Sequence, residues 1–147
     1  MAAEAGYDVW LGNLRGNKHS RHHIYLDPDT KSREFFDFDL THHSKHDLKS
    51  IVGYIRIQTR EHFPKIAYVG HSMGTTIMFR LGAEDPEFVR DNISTVIALG
   101  PVIVPTFTTS PIVRLASQYN KVLYNLFSNN KMYEFLQTTE FSSYFIE

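Results

Sequence analysis

YVGHSMGTT, residues 68–76, sets a serine two places from a glycine on either side and follows it with two threonines. Ahead of it, residues 65–69 form a short apolar run that reads as a strand, and residues 75–83 are helical in composition. A G-x-S-x-G pattern between a strand and a helix predicts a tight turn with Ser72 at its apex. Gly70 and Gly74 let neighbouring elements approach a backbone that a Cβ would block. The turn also sets Ser72 at the positive end of a helix, where negative charge developing on an oxygen is stabilised. The competing explanation is a pair of packing glycines around an idle serine.

Working outward, residues 1–5 are good helix formers stopped by Gly6, and residues 7–11 read as a strand leading into the turn-rich GNLRGN of residues 12–17. Residues 18–38 read as a loop, turned at Asp27-Pro28-Asp29 and anchored by Phe35, Phe36 and Phe38. Leu48, Ile51, Val52 and Ile55 recur at helical spacing, so residues 40–60 are expected to be one amphipathic helix ended by Pro64. Ile77, Met78 and Leu81 give the helix after the serine its apolar face, and Asp85-Pro86 opens another short helix to about Asp91. Residues 94–99 are apolar and β-branched, as in a buried strand. The alternation of strands and helices predicts an α/β fold with a parallel sheet covered on both faces.

The tail departs from that alternation. Ser110-Pro111 starts a helix with Ile112, Leu115, Ala116, Tyr119 and Leu123 as an apolar stripe; residues 129–130 form a turn and residues 132–136 a short helix. With no strand following, the chain reads as a core over residues 1–105 and a helical cap or insertion over residues 106–147.

Composition narrows the function classes. A net charge of -1 across 147 residues offers no electrostatic footprint for nucleic acid. The absence of cysteine excludes disulfide scaffolds, cysteine-based zinc sites and thiol catalysis. No basic segment followed by an apolar one opens the chain, so no signal peptide is read, and the longest apolar stretch is too short to span a bilayer. His42 and His46 have a spacing that metals use on helices, yet no third ligand is placed with them. No metal and no cofactor are expected.

A nucleophilic serine needs a histidine base and an acid that orients it, in the order Ser, Asp or Glu, His when the serine sits on a sheet of this kind. The eight histidines, at 19, 22, 23, 42, 43, 46, 62 and 71, all precede Ser72. His71 is expected to point away from its neighbour, and His42, His43 and His46 read as polar, solvent-facing helix positions. The Met73 N–H is the expected first oxyanion donor, and a second would come from a loop after an earlier strand. The chain therefore reads as the middle of an enzyme.

AGYDVWLGNLRGN at residues 5–17, followed by YVGHSMGTT, KHDL at residues 45–48 and ALGP at residues 98–101, closely resembles the acid lipase family of α/β-hydrolases. The resemblance implies a partial α/β-hydrolase fold, a nucleophile elbow at Gly70, His71, Ser72 and Gly74, and hydrolysis of lipid carboxylic esters such as acylglycerols or sterol esters. Ser72 matches the nucleophile and Met73, where the family usually has Gln, the oxyanion-hole residue. The catalytic Asp and His would lie beyond residue 147, the second oxyanion donor before residue 1, and the cap would begin within residues 106–147. Ile112, Leu115 and Tyr119, with Leu123 and Phe127, would then face substrate, with contact at a lipid interface. The family enters the secretory route, to the lysosome or outside, and Asn92-Ile93-Ser94 has the form of a glycosylation acceptor consistent with that. Two further readings stand beside this one: a catalytically dead lipid- or partner-binding protein, and a serine acyltransferase on the same fold.

Overall fold

The structure, a computed structural model, describes residues 2–59, 62, 64–103 and 110–129. They fall into two compact units: described residues of Met1–Ser20 and Phe38–Pro105 form the first, and those of Arg21–Asp37 and Thr106–Glu147 the second.

The first unit holds a two-stranded parallel sheet, β1 (Ile66–His71) beside β2 (Ile93–Leu99), joined through α4 (Met73–Glu84) and α5 (Pro86–Asn92). Val69 faces Ile97 and His71 faces Leu99 in the register. Ahead of the sheet come α2 (Leu40–His42), a π-helical turn (His43–Leu48) and α3 (Lys49–Gln58). Leu48, Val52, Ile77, Met78, Leu81 and Ile93 form the buried core, flanked by Ile66, Tyr68, Phe88 and Val89. Ile77, Met78 and Leu81 are buried as their spacing predicts. Asp85 caps α5 by accepting from the Phe88 N–H, 3.0 Å, with Pro86 in the first turn, as the Asp-Pro pair predicts.

Five expectations need correcting. Residues 7–11 form no strand: Tyr7, Val9, Trp10 and Leu11 are exposed, and none of the described strands pairs with them. An apolar, extended segment becomes a strand only when a neighbour takes its N–H and C=O groups. Residues 2–6 make a hydrogen-bonded turn in place of a helix end, with Gly6 at φ 87°. The helix expected over residues 40–60 is interrupted by the π-helical turn, and its i→i+5 bonding rotates the buried face. His43 is therefore buried, 7% exposed, while His46 stays exposed. β2 is largely exposed on both faces, since Val96 and the Ile97/Leu99 pair point to opposite sides of the sheet and neither side is fully covered among the described residues. Finally, Asn92 is buried; its side-chain amide donates to the Phe88 carbonyl, 2.8 Å, and its oxygen accepts from Arg56, 2.7 Å. That amide is committed within the fold, which removes the support expected from Asn92-Ile93-Ser94.

In the second unit, Asp27 takes the Asp29 and Thr30 N–H groups and the Thr30 hydroxyl on one oxygen, closing the expected turn and holding its carboxyl below the ordinary aspartate pKa. A short helix, α1 (Ser32–Phe35), comes next, and Phe35 meets Phe36 edge-on at 4.9 Å. Pro111 opens α6 (Pro111–Gln118) as predicted, and α7 (Asn120–Asn129) succeeds it after a break at Tyr119. Of the turn expected at residues 129–130, Asn129 closes α7, while residue 130 and the helix expected over residues 132–136 lie outside the described residues. No helix among the described residues is long and apolar enough to cross a membrane.

Candidate active site at the strand-to-helix turn

β1 ends at His71, α4 begins at Met73, and Ser72 alone makes the turn between them. Its backbone sits at φ 50°, ψ −113°, and no other described residue apart from glycine has a positive φ. Such a conformation costs about 1–3 kcal/mol and persists only where the surroundings impose it. The side chain stands exposed at the apex, and its hydroxyl has no hydrogen-bond partner among the described residues.

The surroundings that impose it can be named. The Ser72 N–H donates to the Leu99 carbonyl, 2.9 Å, carrying the strand pairing one residue past the sheet. Beneath the turn, the Tyr68 hydroxyl donates to the Gly74 carbonyl, 2.9 Å. A Cβ on Gly70 would stand 2.7 Å from Tyr68 Cε1 and 3.0 Å from the Gly74 carbonyl carbon, so the close approach of helix start and strand requires that glycine. A Cβ on Gly74 would meet only the Tyr68 hydroxyl, at 3.4 Å. Thr75, fully buried, donates its hydroxyl to the Ser72 carbonyl, 2.6 Å, and its N–H goes to the same oxygen, 2.9 Å. The Val102 N–H donates to the Thr75 hydroxyl, 3.0 Å, while the Thr76 hydroxyl donates to the Val102 carbonyl, 2.6 Å. Sequence reasoning missed Tyr68, Thr75 and Thr76 as site residues, although a tyrosine two places before Gly70 and a threonine pair directly after Gly74 were signals that could have found them.

At the first turn of α4 the N–H groups of Met73 and Gly74 have no acceptor within the helix. Met73 and its side chain are exposed beside Ser72. The His71 ring lies near Gly100, its Nε2 3.8 Å from where a Cβ there would stand. His43 is held elsewhere: its Nδ1 is 2.9 Å from Asp47, whose other oxygen takes the Arg15 guanidinium at 2.6 and 2.8 Å. No cluster of three metal-ligating side chains occurs among the described residues. In the second unit Leu115 and Tyr119 are 59% and 48% exposed; Ile112 lies in α6, and its side chain is outside what the structure describes.

A serine in this conformation between a strand and a helix is what the G-x-S-x-G reading expects. The family model for the alpha/beta hydrolase fold matches residues 2–141. The chain belongs to the α/β-hydrolase fold family. Within that family it is similar to named lipases. It is 39% identical over 144 residues to lipase member J of Homo sapiens, covering 98% of this chain and 37% of that protein. Identity to gastric triacylglycerol lipase of Rattus norvegicus is 41% over 144 residues, 98% of this chain and 34% of that one. Identity to lysosomal acid lipase/cholesteryl ester hydrolase of Homo sapiens is 37% over 141 residues, 96% of this chain and 33% of that one. The acid-lipase resemblance of the motifs thus extends over almost the whole chain, which spans about a third of the length of these curated relatives.

Proposed function

We propose that this α/β-hydrolase chain carries the nucleophile of a lipid ester hydrolase, with Ser72 attacking the ester carbonyl carbon of an acylglycerol or sterol ester. The observation that carries the reading is the positive-φ backbone of Ser72 at the strand-to-helix turn, in a chain 37–41% identical to lipases. Attack forms the Oγ–C bond and leaves negative charge on the carbonyl oxygen, which the Met73 N–H and the positive end of α4 stabilise. The serine proton passes to a histidine base and then to the leaving alcohol; water afterwards releases the fatty acid from Ser72. Ser72 has no hydrogen-bonded histidine among the described residues, and His43 is engaged with Asp47. The 147-residue chain by itself is therefore inactive or nearly so, and the base and its acid come from outside it.

In this reading residues 1–105 are part of the catalytic core and residues 106–147 the beginning of a helical cap. Leu115 and Tyr119 contribute apolar surface for a lipid interface, and their exposure supports this. Similarity to gastric and lysosomal lipases supports destination to the outside or to the lysosome.

The test uses the protein expressed from its mapped reading frame, assayed on a p-nitrophenyl ester and on a triacylglycerol emulsion. Ser72→Ala should lower kcat by at least ~10³-fold. Retained activity in Ser72→Ala, or Ser72-dependent turnover by the 147-residue chain alone, would sink the respective part. Transfer to an added alcohol in preference to water would reassign the protein as an acyltransferase.

A further inference from the structure

The peptide linking Ser72 to Met73 is held by one buried side chain, and that peptide carries the N–H assigned above to the oxyanion. A trans peptide is planar, so the direction of the Ser72 C=O dictates the direction of the Met73 N–H on its opposite side. Thr75 grips that carbonyl twice, through its hydroxyl at 2.6 Å and its own N–H at 2.9 Å. The N–H bond is the ordinary capping of a helix start, whereas the hydroxyl bond is an addition specific to this side chain. The hydroxyl proton is directed at Ser72 because the Val102 N–H, 3.0 Å away, occupies the acceptor side of the same oxygen. Thr76 completes the hold by donating to the Val102 carbonyl, so two adjacent threonines take both backbone groups of one residue.

We propose that Thr75 is a positioning residue for the oxyanion hole: the chain Val102 N–H to Thr75 hydroxyl to Ser72 carbonyl aims and polarises the Met73 N–H. The proposal rests on the assignment of Ser72 as nucleophile. Two physical effects arise from the arrangement. The hydroxyl fixes the peptide plane against the strain of the φ 50° turn. It also draws electron density toward the carbonyl oxygen, which makes the N–H of the same peptide a stronger donor. Both act where charge develops on the substrate and have little effect on substrate binding, so they belong in kcat and not in KM.

The experiment compares Thr75→Val, which keeps the shape and removes the hydroxyl, with Thr75→Ser, which keeps the hydroxyl. Both are made in the protein expressed from its mapped reading frame. Removing an oxyanion donor outright costs ~10²–10³-fold in kcat, so mis-aiming it in Thr75→Val should cost about tenfold, with KM unchanged within about twofold. Binding of a phenylboronic acid, whose boronate oxygen mimics the oxyanion, should weaken by a similar factor, and Thr75→Ser should recover both. Should Thr75→Val fail to fold, Thr75→Ala carries the same expectation. A kcat within about twofold of wild type in Thr75→Val, or an equal loss in Thr75→Ser, overturns the proposal. If Ser72→Ala itself leaves activity intact, the assignment of the nucleophile has failed, which is a different outcome from a silent Thr75→Val in a protein that Ser72→Ala inactivates.

Discussion

Two stretches of the first unit, residues 7–17 and residues 68–76, carry equally strong sequence patterns and behave differently. The second forms a turn that costs energy at Ser72 and keeps it, because every contact that imposes it comes from within residues 68–76 or from residues 99 and 102. The first has an apolar run suited to a strand, yet it forms none and stays exposed, Trp10 included, although that ring meets Tyr54 edge-on at 6.1 Å. The adjoining residues 12–17 are held well: Arg15 reaches Asp47 through backbone and side chain, and Asp47 also takes His43. A pattern satisfied by near neighbours forms; a pattern that needs a partner strand waits for one.

The largest effect should come from crowding the turn. Gly70→Ala places a Cβ against backbone at Gly74, so neither side can yield cheaply. We expect a loss of ~3 kcal/mol, seen in thermal melts as a fall in Tm on the order of 8 °C for a chain of this size. Gly74→Ala, facing only a side-chain hydroxyl, should lose far less. Equal losses would mean that backbone crowding does not distinguish the two glycines.

Next comes the anchor of residues 12–17. Asp47→Asn should cost about 2 kcal/mol, since charge-assisted bonds to Arg15 and His43 are lost in a partly buried place. Burial alone would raise the Asp47 carboxyl, and the Arg15 and His43 hydrogen bonds outweigh it, leaving its pKa below the ordinary aspartate value. Asp85 is lowered in the same direction by Lys49 and by the Phe88 N–H. A depressed folded pKa stabilises the fold above the unfolded value, near about pH 4, and that contribution is lost as pH falls through the lower folded value. Tm should therefore fall on acidification below about pH 4, and Asp47→Asn should flatten the fall. A pH-independent melt over that window would contradict the arrangement.

A smaller effect, of opposite sign, is expected at the apex. Ser72→Gly relieves the positive φ and should raise stability by ~1 kcal/mol while removing the proposed nucleophile. If the melt does not rise, the turn is less strained than its dihedrals imply.

The smallest belongs to Leu11, 88% exposed. Leu11→Ser should change stability by no more than ~0.5 kcal/mol. A markedly larger loss in the protein expressed from its mapped reading frame would show that residues 7–11 find a strand partner there, and would remove the difference between the two stretches.

By itself the sequence determined the features that depend on short range. The strand, turn and helix around Ser72 arise from a glycine pair and a change of period within nine residues, and Asp85-Pro86 caps its helix through a bond to a residue three places on. The family resemblance was legible for the same reason, since it rests on those local motifs. Tertiary structure alone decided the rest. His43 is buried within the π-helical turn, beside Asp47 four residues on, and that carboxylate is fixed by Arg15 from 32 residues away in sequence. Thr75 becomes part of the site because Val102 arrives from 27 residues away. Residues 7–11 lack a strand partner, and neither face of β2 is fully covered, among the described residues. A backbone hydrogen bond or a buried face needs two sides, and a sequence pattern specifies only one of them.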